Sequence, residues 1–145
     1  MLCHKRLSSL ETVKTAVITL KHRLCFTLGS PIELLNELKA DERFKSCDYI
    51  LNSANECEQR GFETAWKTAV LQSELPFEEN DRAILLQVGS ILGKSDLETQ
   101  LNQFDLLLEQ LSAEIAEYRG EMDKKQRLYS SLGILLGVGA AVMLF

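Results

Sequence analysis

Apolar residues recur three and four apart along almost the whole chain, the spacing of one helix face, and nowhere sustain the two-residue alternation of a strand. Leu7, Leu10, Val13, Val17, Leu20 and Leu24 form a first stripe, backed by Glu11, Lys14, Lys21 and Arg23. A stripe with a polar back seeks partner helices. It predicts a helix over about residues 5–27, closed by Gly29. Ser30-Pro31-Ile32-Glu33 then opens a second helix with a capping serine, a proline at the first helical position and a glutamate three after the cap. Ile32, Leu35 and Leu38 are its buried side, and it stops near Ala40.

A third helix is expected over roughly residues 42–59, with Phe44, Cys47, Leu51 and Ala54 inward, widened by Ile50 and Cys57. Gly61 separates it from a fourth, in which Phe62, Ala65, Trp66, Ala69 and Val70 share a face. Leu75-Pro76-Phe77 is the longest break. A fifth helix follows over about 79–92, with Ile84, Leu85, Val88, Ile91 and Leu92 inward. Gly89 sits in its middle, where glycine costs about 1 kcal/mol against alanine; the close approach of another helix would justify it. Gly93 closes this helix, and Ser95 with Glu98 forms a second capping box.

The last third is the longest continuous pattern. Leu97, Leu101, Phe104, Leu108, Leu111, Ile115, Tyr118 and Met122 step by four and three, a 3.5-residue repeat that implies one helix with one buried seam. Without a proline it passes Lys124, Lys125 and Arg127 and enters a run that carries no charge from Leu128 to Phe145. Eighteen residues at about 1.5 Å each reach about 27 Å, against a hydrocarbon core of about 30 Å. Tyr129 suits the interface, and the three basic residues before it place the preceding domain in the cytoplasm. Gly133, Gly137 and Ala141 form a small-residue face on which another helix can pack in lipid. A buried core helix is the alternative for this run; the lack of any polar face favours the membrane. The pattern therefore predicts an all-α fold: a six-helix antiparallel bundle, residues 1–127, whose long last helix continues into a C-terminal transmembrane helix, residues 128–145.

Composition narrows the function. The 145 residues suffice for one domain with a real core, and a net charge of −5 argues against a nucleic-acid partner. Cys3, Cys25, Cys47 and Cys57 form no C-x-x-C pair and read as small buried hydrophobes in a reducing compartment. Zinc ligation by His22 and Cys25, three apart, lacks a second pair. No phosphate-binding loop, nucleophile elbow or H-E-x-x-H motif occurs, so no catalysis, cofactor, metal or small-molecule substrate is expected. Trp66 reads as a core anchor, with a partner hot spot as the alternative. Glu78, Glu79 and Asp81 read as first-turn acids matched to the helix dipole, with a docking surface for a basic partner second.

Leu86-Gln87-Val88-Gly89-Ser90-Ile91-Leu92-Gly93-Lys94-Ser95-Asp96-Leu97-Glu98-Thr99-Gln100 resembles the L-x-x-x-G-x-x-L-G-x-S-D-x-x-x-Q signature of the stage III sporulation protein AB family. Arg6-Leu7 with Leu10 and Glu11 is similar to that family's first soluble helix, Ser30-Pro31-Ile32 to its T-P-L turn, and Thr64-Ala65-Trp66 to its E-A-W element. Tyr129-Ser130-Ser131-Leu132-Gly133 is similar to its entry into a C-terminal span. The resemblance implies a non-enzymatic, membrane-anchored scaffold of the channel-like complex between mother cell and forespore. It implies a soluble part similar to the cytoplasmic domain of the type II secretion F protein. The implied partners are other channel components, foremost the secretion-ATPase-like AA protein, and the implied location is the mother-cell membrane. The family also places a membrane helix ahead of its first soluble helix, whereas this sequence opens within the soluble region. A tail-anchored adaptor that dimerises through its last helix is the alternative, and a metal- or thiol-dependent enzyme is a third reading.

Overall fold

The computed structural model describes the backbone of residues 2–26, 30–92 and 96–144, and side chains of residues 5–25, 30–92, 96–128 and 130. Among these residues there are six α-helices, one 3-10 turn and no strand: α1 (Leu2–Phe26), α2 (Pro31–Ala40), the 3-10 turn (Glu42–Phe44), α3 (Asp48–Arg60), α4 (Phe62–Leu71), α5 (Glu79–Leu92) and α6 (Leu97–Leu144). α2 packs on α3, α3 on α4, α4 on α5 and α5 on α6, while α1 lies along α6 and also meets α2 and α5. α1 and α6 run in opposite senses, because Arg6 meets Glu114 whereas Lys21 meets Asp105.

The predicted stripes supply the core. Leu10, Val13, Val17, Leu20 and Leu24 of α1 are buried against Phe104, Leu107, Leu111 and Ile115 of α6. α6 thus spends its heptad seam on α1 and α5, and Leu107 joins that seam from outside the predicted set. Ser30 caps α2 as its sequence predicts, its hydroxyl accepting from the Glu33 N–H at 3.4 Å.

One local expectation is corrected. The third helix is not continuous from residue 42. Asp41 turns its carboxylate onto the Arg43 N–H and winds Glu42–Phe44 into a 3-10 turn, which drives Phe44 fully into the core. α3 starts afresh at Asp48 and buries Tyr49, Ile50, Ser53, Ala54 and Cys57, leaving Leu51 only partly covered. At the start of α6 Asp96 provides a cap; the expected Ser95 cap, like Gly93, lies outside the described residues. Asp96 accepts from both the N–H and the hydroxyl of Thr99, and the hydroxyl bond lowers the pKa of its carboxyl. A carboxylate serves this position well because it also faces the positive end of the helix dipole.

The α4–α5 connection is clamped from both sides. Asp48 accepts from the Ser73 hydroxyl at 2.6 Å and the Glu74 N–H at 2.8 Å, while Arg82 donates to the carbonyls of Val70 and Ser73. By contrast, α3 and α4 are joined through Gly61 alone, at φ +82° and ψ 158°. That backbone conformation is essentially restricted to glycine. A Cβ there would meet nothing, so the requirement is conformational and not steric. Gly61→Ala should destabilise the bundle by about 1–3 kcal/mol, measured by urea unfolding; an unchanged midpoint would show that the hairpin tolerates another link.

Candidate functional site

Two shallow grooves flank α5, one toward α4 and one toward α6. One shallow groove of about 360 Å³ is lined by Glu63, Trp66 and Lys67 of α4 and by Leu86, Gly89 and Ser90 of α5. A second, of about 290 Å³, lies across the α5 ridge, with Gln87 and Ser90 on one wall and Gln103, Leu106 and Gln110 on the other. Leu106 is 66% exposed, the largest value among the exposed large hydrophobic residues that are described. The first groove mixes apolar with charged side chains, the second apolar with amide ones. Among the described residues no group of three or more His, Cys, Asp or Glu is arranged around a metal position.

The floor of the first groove is a lock between two helices. Trp66 is buried, and its indole Nε1–H donates to the Leu85 carbonyl at 2.6 Å. The ring then lies directly on Gly89, where an added Cβ would stand 2.5 Å from Trp66 Cδ1. Gly89 is therefore the close approach its mid-helix position predicted. Trp66 is in turn stacked by Phe62, ring centroids 6.2 Å apart, and met edge-on by Tyr49 at 5.9 Å. Tyr49 passes the contact to Phe77 at 5.8 Å, so α3, α4, α5 and the preceding loop share one aromatic chain.

The remaining sequence-predicted residues separate into distinct places. Leu92 and Gln100 are buried around the α5–α6 turn, and Asp96 caps α6. Lys124, Lys125 and Arg127 are exposed, beyond the last part of α6 that the bundle covers. The side chains of Tyr129, Gly133, Gly137 and Ala141 lie outside the described residues. The backbone of α6 nonetheless runs on to Leu144. Among the described residues no helix is long and apolar enough to cross a membrane.

Two side-chain expectations need correction. Asp81 is not part of an acidic surface: it is 2% exposed and turned inward to Arg6, whereas Glu78 and Glu79 are exposed. Cys47 and Cys57 are buried and burial raises their thiol pKa, but Cys25 is exposed and free.

The Arg6–Asp81 pair is the centre of a cluster that sequence reading missed. Arg6 donates through Nε to Asp81 Oδ2 at 3.0 Å and through Nη2 to Oδ1 at 3.2 Å. Asp81 Oδ2 also accepts from the Glu78 N–H at 2.9 Å, closing the first turn of α5. The same Nη2 stands 3.4 Å from Glu78 and 3.6 Å from Glu114, and the guanidinium lies 4.3 Å over the Tyr118 ring. The bond to Asp81 raises the Arg6 pKa, while burial and then the neighbouring Asp81 push the Glu114 carboxyl up to about 7. One signal was available: Arg6 is one helical turn before Leu10, and Asp81 one turn before Leu85, so both charges occupy stripe positions.

The sequence profile of stage III sporulation protein AB matches residues 2–145, nearly the full length. The chain belongs to the stage III sporulation protein AB family. Among solved structures, a chain described as stage III sporulation protein AB (SpoIIIAB) superposes with a TM-score of 0.63 at 16% identity, covering 83% of this chain and 98% of that one. At that identity the likeness speaks for the shared helical fold. No curated protein matches by sequence. Membership in the stage III sporulation protein AB family implicates the chain in the stage III sporulation complex of the sporulating cell.

Gly89→Ala gains about 1 kcal/mol of helix propensity but forces a methyl group into the indole, an overlap that typically costs about 1–3 kcal/mol. The net result should be a less stable bundle, read by heat or urea unfolding with the fluorescence of Trp66, the sole tryptophan. In a Trp66→Leu background, followed by circular dichroism, the same substitution should cost much less. Equal costs in the two backgrounds would dissociate Gly89 from Trp66.

Proposed function

We propose that this chain is a non-enzymatic, membrane-anchored scaffold of the stage III sporulation complex, which acts in the channel between mother cell and forespore. Residues 1–127 form its cytoplasmic bundle and residues 128–145 its anchor. The observation that carries this reading is the continuity of α6 from Leu97 to Leu144: the helix that fills a side of the bundle is the helix that holds the uncharged run. That run, about 27 Å of helix, matches a hydrocarbon core of about 30 Å with little mismatch. Lys124, Lys125 and Arg127 are exposed on its near side, as headgroup-facing cations on the cytoplasmic side are. Gly133, Gly137 and Ala141 provide a packing face for another membrane helix.

In this role the α4–α5–α6 face presents the bundle to other channel components, with the secretion-ATPase-like AA protein as the partner the family resemblance favours. Glu78 and Glu79, exposed at the start of α5, supply negative charge for a basic partner surface. The adaptor reading, dimerisation through the last helix, is less well supported, because α1 and α5 already occupy the seam of α6.

The full chain should stay with membranes after alkaline carbonate extraction. In a Cys3→Ser background, the exposed Cys25 thiol should react with a membrane-impermeant maleimide only after the cells are opened. Release of the full chain into the carbonate supernatant, or labelling of Cys25 in intact cells, would overturn the anchor or its orientation respectively. Leu128→Pro, which breaks the rod between bundle and anchor, should lower sporulation with the protein level unchanged.

A further inference from the structure

The groove between α5 and α6 differs in kind from the one between α4 and α5. The α4–α5 groove carries Glu63 and Lys67. None of the described residues that line the α5–α6 groove ionises, although 26% of the chain is charged. Two acids of α6 near it are engaged elsewhere: Asp105 is paired with Lys21 and Glu114 stands 3.6 Å from Arg6, both on α1. Glu109, one turn after Leu106, is exposed, where solvent and salt screen it. An exposed surface with an apolar anchor and no charge has the composition of an interface core.

The shape of the groove suits a helix. Its α6 wall is Gln103, Leu106, Leu107 and Gln110, spaced i, i+3, i+4 and i+7. Four residues at that spacing form the hole that receives one side chain of a neighbouring helix. The α5 wall, Gln87, Ser90 and Ile91, repeats three corners of such a hole.

Leu106 makes the same surface a knob as well as a hole. It lines the groove yet is 66% exposed. A patch that carries both is self-complementary, which is what a two-fold pair requires. The polar lining fits the same occupant. Gln87, Gln103 and Gln110 each hold a donor and an acceptor, so their amides can bond to those of an identical chain. A carboxylate or an ammonium group near a two-fold axis would meet its own like charge instead. For a chain of net charge −5, an uncharged strip is also where a second copy is least repelled.

We propose that the α5–α6 groove is a self-association surface, in which Leu106 of each of two copies of this chain enters the groove of the other. The pairing uses the outer side of α6, while α1 and α5 keep its seam. It leaves the α4–α5 groove, with its two charges, to a different protein. A two-fold axis running along α6 sends both outgoing helices the same way, as a shared membrane requires. The direction of that axis rests on the anchor reading; the pairing itself does not.

The test uses the full chain in mild detergent, with its protein mass read by light scattering after gel filtration over a range of concentrations. The wild type should approach the mass of two chains as concentration rises. Leu106→Glu should weaken self-association about tenfold or more, and Gln87→Glu, on the opposite wall, should weaken it as well. Both positions are exposed, so the circular dichroism and unfolding midpoint of the variants should match the wild type. Glu63→Gln and Lys67→Gln, in the other groove, should leave the dimer intact. Should either groove variant fail to fold, Gln110→Glu takes its place. A wild type that stays single at every concentration overturns the pairing; if Leu106→Glu then still lowers sporulation, the groove belongs to another protein. A dimer that survives both Leu106→Glu and Gln87→Glu overturns it too, and assigns the contact to another surface such as the membrane segment. Carbonate extraction reads the anchor separately, so failure of the pairing and failure of the anchor are distinguishable.

Discussion

The seating of one indole ring on one bare helix turn is the constraint on which the α3–α4–α5 half of the bundle rests. Trp66 has two requirements that only α5 meets together: an acceptor for its buried N–H and a surface flat enough for its face. The Leu85 carbonyl supplies the first and Gly89 the second, one turn apart on the same helix. An unpaired buried N–H costs about 1–3 kcal/mol, and a side chain at Gly89 would lift the ring away from the carbonyl. The two contacts therefore fix both the distance and the rotation of α4 against α5. From there the aromatic chain through Tyr49 and Phe77 carries the same register to α3 and the α4–α5 connection.

The α1–α5–α6 corner answers a different problem. Here the first turn of a helix must be closed and a buried cation satisfied at once. Asp81 does both, accepting from the Glu78 N–H and from Arg6. A bidentate guanidinium–carboxylate pair also sets an angle as well as a distance, so α1 cannot rotate on α5 without breaking it. Apolar packing of α1 on α6 provides attraction over many residues, while this pair provides orientation at one end.

Most of the helical architecture was legible because periodicity reports directly on burial. The stripes of α1 and α5, the Ser30 cap and the boundaries of α5 could be read from spacing alone. The interruption of the third helix has a local cause: a short polar side chain chose among competing partners. Asp41 captured the Arg43 N–H and wound the next residues into a tighter turn. The composition suits either outcome, and only the packing of Phe44 selects one. The candidate site was less legible. Gly89 signalled a close approach without naming Trp66, and Asp81 looked like a surface acid because Arg6, seventy-five positions earlier, is invisible to local spacing.

The unbroken course of α6 also acts as a gear. In one continuous helix each residue turns the chain by about 100° and advances it about 1.5 Å. The stretch between Arg119 and Leu128 touches little of the bundle, yet its residue count sets the compass bearing of everything beyond it relative to the α4–α5–α6 grooves. Substitutions there that keep the helix are mechanically cheap, whereas adding or removing a single residue would swing the far end through more than a quarter turn. Length, not composition, is what this segment has to conserve.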